Sequence, residues 1–225
     1  MLWKPPQRLL LKKVMMRKYK NLFFDLDGTI SDSYAGITAL FRKTFAKFSI
    51  NVPEDDYRSF VGPPIQTTFS KYFKDPLIIP AAKEYFRKLY FGNNRDCTAF
   101  EGIAEVLKEL KKRGYKIYTA TSKREDQAID VCDYLGVAEY FNKIYGADGE
   151  TRIEKEHVLQ YAVESSGAKL SESVLIGDTY FDLYGAKFVG MDCIWASYGY
   201  GTKESIAGLP YVAEIKNTRE LLRIL

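Results

Sequence analysis

The feature that most constrains this chain is a repeated alternation of short, wholly apolar runs with stretches of helical period. After Gly102 it reads as helix "IAEVLKELKKRG", strand "YKIYTATS", helix "REDQAIDVCDYLG", the segment "KIYGAD", helix "EHVLQYAVESSG", strand "SVLIGD", helix "YFDLYGAKFVG" and strand "DCIWAS". Upstream, "NLFFDLD" reads as one more strand, and the helix after it spaces Ile37, Leu40, Phe41, Thr44, Phe45 and Phe48 along one face. Strands that show no polar alternation have no face to offer water. They belong to a parallel sheet covered by helices on both sides, an α/β fold. From Pro53 to Cys97 the pattern changes to short helical pieces broken by "VGPP", "KDP" and "GNN", which marks a helical insertion. Its aromatic residues Phe69, Tyr72, Phe73, Tyr85, Phe86, Tyr90 and Phe91 recur at helical spacing and are predicted to fill its core, with one or two facing a site.

A chain of 225 residues holds one well-filled core plus a smaller unit. The formal charge of +4 is unevenly spread: residues 1–20 contribute seven cations and no acid, so the rest of the chain is at −3. Nucleic-acid binding by the folded body is therefore not expected. The leader "MLWKPPQRLLLKKVMM", residues 1–16, has an apolar run too short for a signal-peptide core; it is expected to be a disordered tail, or to precede a real start at Met15 or Met16. No stretch approaches the length of a membrane span. Cys97, Cys132 and Cys193 form no CxxC pair, which suggests neither a disulfide framework nor a zinc site, and the expected location is cytoplasmic.

In open parallel sheets, ligands bind beyond the carboxyl ends of the strands. Asp25 and Asp27 end the first strand, Thr121 and Ser122 the second, and Asp178 a later one; Asp182 follows one helical turn on, and Lys155 opens the preceding helix. Singly, each has an ordinary reading as a turn former, a helix cap or a solvated charge. Together they place several carboxylates at one rim, where they repel unless a divalent cation sits among them. Oxygen-only ligands select a hard ion such as Mg²⁺, and Mg²⁺ suggests a phosphate. Lys155, the Thr121 hydroxyl and the turn amides near Gly28 would share the phosphoryl oxygens, and Asp25 would attack phosphorus to form an aspartyl-phosphate. The single histidine, His157, is assigned no role.

The order "DLDGT", "ATSK", Lys155 and "GDTYFD" resembles the haloacid dehalogenase superfamily of phosphotransferases. "DGTISDSYAGI", "FVGPPI" and "GDTYFDLYGAK" resemble its phosphoglycolate-phosphatase-like branch, which carries a helical cap after the first motif. The resemblance implies a Rossmann-like parallel sheet with helices on both faces, over residues 17–32 and 98–225, and an inserted α-helical cap at 33–97. It implies that Asp25 is the nucleophile and Asp27 the general acid and base. Asp25, the Asp27 carbonyl and Asp178 would bind Mg²⁺, with Asp182 assisting through a water or an outer contact. Gly28, Thr29 and Ser122 of the core, and Gly62, Arg58 and Gln66 of the cap, would bind substrate. Glu156 stands where the family often has Pro after its lysine, so Lys143 and Lys123 remain alternatives to Lys155. The implied activity is Mg²⁺-dependent hydrolysis of a small phosphomonoester by a monomer or homodimer whose partner is a small phosphorylated metabolite. A phosphomutase is the enzyme alternative, disfavoured because residues 33–48 contain no histidine. A non-catalytic phosphate-binding regulatory module is the other.

Overall fold

The apolar runs become a sheet because each has two faces to bury. The computed structural model describes residues 18–91 and 95–225, so the leader expected over residues 1–16 lies outside the described residues. In chain order the first elements are β1 (Asn21–Phe24), β2 (Ser31–Asp32), α1 (Tyr34–Lys47), α2 (Ile65–Tyr72), α3 (Ile79–Phe91) and β3 (Thr98–Ala99). There follow α4 (Ile103–Lys112), β4 (Lys116–Thr119), β5 (Thr121–Arg124), α5 (Glu125–Tyr134), β6 (Gly146–Ala147) and α6 (Lys155–Ser166). The chain ends with β7 (Ser173–Gly177), α7 (Tyr180–Val189), β8 (Asp192–Ala196), β9 (Ala213–Ile215) and α8 (Leu221–Ile224).

The main sheet has the order β4-β1-β7-β8-β9, every pairing parallel. Successive side chains point to opposite faces. Leu22, Phe24, Val174, Ile176 and Ile194 meet α4, α5 and α8 on one side. Phe23, Leu175, Cys193 and Trp195 meet α6 and α7 on the other. Leu22, Phe23 and Phe24 are all fully buried, and each such burial stabilises by about 1.5–3 kcal/mol. That is why β1 lies inside the sheet and why its end, where Asp25 begins, is fixed.

Two details depart from the sequence reading. The run 115–122 is not one strand: β4 stops at Thr119, and the chain then leaves the sheet as β5, which pairs with β6. The "KIYGAD" segment therefore runs beside this offset edge, with the Thr121 amide donating to the Tyr145 carbonyl at 3.3 Å. The half-buried β9 also joins the sheet, a strand that three residues of weak alternation do not announce.

The insertion is an α-helical cap domain with a core of its own, in which Leu40, Phe41, Phe45, Phe60, Phe69, Phe73 and Phe86 are buried together. Phe41 lies 4.6 Å from Phe86 between ring centroids and 5.6 Å from Phe69, so aromatic contacts bind α1, α2 and α3 to one another. Phe91, expected in this core, is 62% exposed, because one residue beyond Tyr90 lies about 100° around α3, away from the face that carries Phe86 and Tyr90. Tyr72 and Tyr85 are only partly buried. Where the chain enters and leaves the insertion, β2 and β3 pair antiparallel as a short ribbon. Among the described residues no helix is long and apolar enough to cross a membrane.

Candidate active site

Asp25 follows β1 directly, its amide donating to the Ile176 carbonyl at 2.9 Å, so the sheet itself orients the residue. The chain then turns sharply at Gly28, where φ is +89° and a Cβ would sit 2.2 Å from Asp178 Oδ2. Only glycine permits that approach. It brings the end of β1 against the end of β7, and the Thr29 hydroxyl donates to Asp178 Oδ1 at 3.2 Å. The Tyr200 amide donates to the other Asp178 oxygen at 2.8 Å.

Lys155 starts α6 with its side chain 1% exposed. Its ammonium donates to Asp25 Oδ1 at 2.7 Å and to the Ala120 carbonyl at 2.9 Å. It also lies 2.7 Å from Asp182 Oδ1, an ion pair without hydrogen-bond geometry. The three candidate lysines are thus separated by place. Lys143 is exposed. Lys123 pairs instead with Asp27, Nζ to Oδ2 at 2.8 Å, and donates to the Tyr90 hydroxyl of the cap. The second Asp27 oxygen accepts from Ser33 Oγ at 2.7 Å. Each of the two neighbouring aspartates therefore has its own buried ammonium.

Asp25, Asp178 and Asp182 each offer one carboxylate oxygen within 4.8 Å of the others, and all three are buried. Burial, then the charges of Asp182 and Asp25, push the Asp178 carboxyl well above its ordinary value. Burial pushes Asp25 up to about 6 against the opposing pull of Lys155. Burial alone would depress the Lys155 ammonium, but Asp182 and Asp25 outweigh it and the net shift is upward. Three carboxylates facing one ammonium leave the cluster short of positive charge. With only oxygen donors and the Asp182 Oδ1 atom lacking a hydrogen bond, the residues fit a hard divalent cation.

One cavity joins this centre to the cap. Asp25, Asp27, Thr121 and Ser122 line its core side, and Gly62, Gln66, Phe86 and Tyr90 its cap side. The Ser122 hydroxyl there is buried with no hydrogen-bond partner among the described residues. The loop "VGPP" descends onto the core at Gly62, where φ is +108° and a Cβ would lie 2.8 Å from Thr179 Cγ2. Arg58 does not line this cavity: its guanidinium donates to the Tyr200 carbonyl at 3.4 Å. Gly28 and Thr29 serve Asp178 rather than the cavity wall. Asp182 is tied to its own helix start, its Oδ2 accepting from the Thr179 amide and hydroxyl, each at 2.9 Å.

Sequence reasoning missed Ser33 and the approach of the Tyr200 amide, and considered Lys123 only as a rival to Lys155. "ATSK" names Lys123 within a motif, but nothing local says that it folds back onto Asp27.

A parallel sheet with carboxylates and a buried lysine at its strand ends, roofed by an inserted cap, defines a class of hydrolases, and comparison agrees. The model of the haloacid dehalogenase-like hydrolases matches residues 22–196, and the chain belongs to that family. It is 31% identical to a 5'-nucleotidase of Pseudomonas aeruginosa, over 91% of this chain and 96% of the relative. It is 30% identical to the tyrosine-protein kinase PtkA of Mycobacterium tuberculosis, over 90% of this chain and 72% of that protein. Phosphoglycolate phosphatases are also among its relatives, as the resemblance read from the sequence implied. Among solved structures, a "predicted phosphatase" from Clostridium acetobutylicum superposes with a TM-score of 0.85 at 32% identity, covering 92% of this chain and 97% of that one.

Proposed function

We propose that the protein is a Mg²⁺-dependent phosphatase that hydrolyses small phosphomonoesters through an aspartyl-phosphate on Asp25. The observation that carries this reading is the pair Asp25 and Asp27, two carboxylates lining one capped cavity, each held by a different buried lysine. The same residue type in two environments can serve two roles. We place the cap boundaries at residues 33 and 97, just beyond β2 and just before β3, so that the β2–β3 ribbon closes the base of the insertion.

Asp25, Asp178 and the Asp27 main-chain carbonyl would hold Mg²⁺, with Asp182 beside them. The bound ion would offset the phosphoryl charge and keep Asp25 ionised. Lys155 fixes one Asp25 oxygen, and the other attacks phosphorus as the ester P–O bond breaks. Asp27 gives its proton to the departing oxygen. Asp27 then takes a proton from water, the resulting hydroxide attacks the phosphoaspartate, and inorganic phosphate leaves with Asp25 restored. Thr121 and Ser122 would hold phosphoryl oxygens, a reading supported by their place in the cavity wall and by the Ser122 hydroxyl lacking a hydrogen-bond partner among the described residues. The cap excludes bulk water and admits only small esters. The phosphomutase alternative is less well supported, since α1 contains no histidine.

The test is phosphate release by the purified protein from a panel of phosphomonoesters, with Mg²⁺ and with chelator. Release that needs Mg²⁺ is expected. No release from any ester, or full release in chelator, would refute the reading.

A further inference from the structure

Among the described residues six charged side chains line the cavity, and four of them are already matched. Asp25 is held by Lys155, and Asp27 pairs with Lys123. Arg124 makes a two-pronged contact with Asp126, at 3.1 and 2.7 Å. The remaining two, Lys83 and Arg87, have no carboxylate within ion-pair distance among the described residues. They lie one turn apart on α3, on the face that carries Phe86 and Tyr90 into the same cavity. Arg87 reaches across to the core loop, its Nη2 only 3.6 Å from where a Gly149 Cβ would stand.

Like charges one helical turn apart repel, and partial desolvation sharpens the repulsion. Burial, and after it the Arg87 charge, holds the Lys83 ammonium below its ordinary value. An anion between them would relieve both costs. The phosphoryl end of the cavity is already furnished by Asp25, Lys155, Thr121 and Ser122 on the core. The two cap cations line the same cavity from α3 on the cap side, which would face the leaving group of an ester.

We infer that Lys83 and Arg87 form a second anion subsite, so that the protein selects phosphomonoesters whose leaving group itself carries a carboxylate or a phosphate. This rests on the phosphatase reading for its chemistry, though not for binding. It separates activities that the relatives' names leave open, because a nucleoside leaving group is neutral and a glycolate one is not.

The experiment compares kcat/KM for 2-phosphoglycolate, ethylene glycol bisphosphate and the uncharged control 2-hydroxyethyl phosphate. One charge-assisted contact is commonly a factor of about 10 to 100. The wild-type protein should therefore favour at least one anionic ester over the control by about tenfold or more, and which one shows whether carboxylate or phosphate is the natural group. In Lys83→Met and Arg87→Met that ratio should collapse, mainly through KM, and Arg87→Lys should restore part of it. A wild-type protein with no preference, or variants that lose all three substrates in equal proportion, would overturn the subsite. Calorimetric binding of phosphonoacetate and ethylphosphonate with Mg²⁺ keeps the two readings apart. If no ester turns over, the phosphatase reading falls, yet tighter phosphonoacetate binding that Arg87→Met abolishes would still support the subsite. Equal binding, or none, would remove it.

Discussion

Replacing Lys155 with methionine isolates what the buried ammonium does. Methionine keeps most of the apolar stem, so the loss is chiefly one charge between Asp25 and Asp182, whose side chains are 4% and 0% exposed. Removing one member of a buried ion pair costs about 3–5 kcal/mol, because its partner is left buried and uncompensated. For a chain of this size about 1 kcal/mol moves Tm by roughly 2–4 °C, so Tm in chelator should fall by about 6–20 °C. The loss should depend on pH in a defined direction. Asp25 stands at about 6 even with Lys155 present, and without the ammonium it rises further. A carboxyl whose folded pKa lies above its unfolded value of about 3.9 binds more protons folded than unfolded between the two values. Stability therefore falls as pH rises through that window, and the Lys155→Met deficit should be larger at pH 8 than at pH 5. Mg²⁺ would supply positive charge to the same carboxylates and should stabilise the variant itself by about 2.7 kcal/mol at a hundredfold excess over its Kd. Thermal melts of both proteins at pH 8 and pH 5, with chelator and then with Mg²⁺, make the measurement. A variant within about 2 °C of wild type in chelator at pH 8 would show that the charge cluster is not organised as described.

Asp25→Asn should abolish turnover while the melting transition stays cooperative; residual steady-state activity above background would exclude it as nucleophile. Asp27→Asn should slow alkyl phosphates by about 10²-fold to 10⁴-fold, yet form trapped phosphoenzyme from an aryl phosphate in rapid-quench experiments; equal slowing of both with nothing trapped would remove its acid–base role. Asp178→Asn should raise the Mg²⁺ concentration for half-activity more than Asp182→Asn, since Asp182 is already tied to Lys155 and Thr179; the reverse order would reassign the ligands. Phe41→Ala should cost about 3–5 kcal/mol, read by denaturant unfolding, because Phe41 is fully buried and central to the cap; a loss under about 1 kcal/mol would mean the cap does not rest on this ring.

The strand ends were legible because the chemistry there is local. Asp25 follows an apolar run long enough to be buried, and Lys155 begins a helix shortly before another such run, so both arrive at one rim by topology alone. Asp178 and Asp182 were legible for the same reason. The partners were harder. Arg58 has the chemistry of a substrate contact and sits in the right segment, yet its guanidinium turns to the Tyr200 carbonyl outside the cavity. Phe91 is adjacent to Tyr90 in the chain but lies exposed, because a single residue step turns the side chain about 100° around the helix onto another face.

The sequence by itself determined the α/β alternation, the helical insertion and the set of acids, hydroxyls and lysine at the strand ends, since hydrophobic period and turn chemistry act over a few residues. Only the tertiary structure decided which ammonium faces which aspartate, that β5 leaves the main sheet, and that no described carboxylate pairs with Lys83 or Arg87 at the cavity. Those outcomes depend on contacts between segments far apart in the chain, where burial strengthens each charge pairing and no local pattern records the partner.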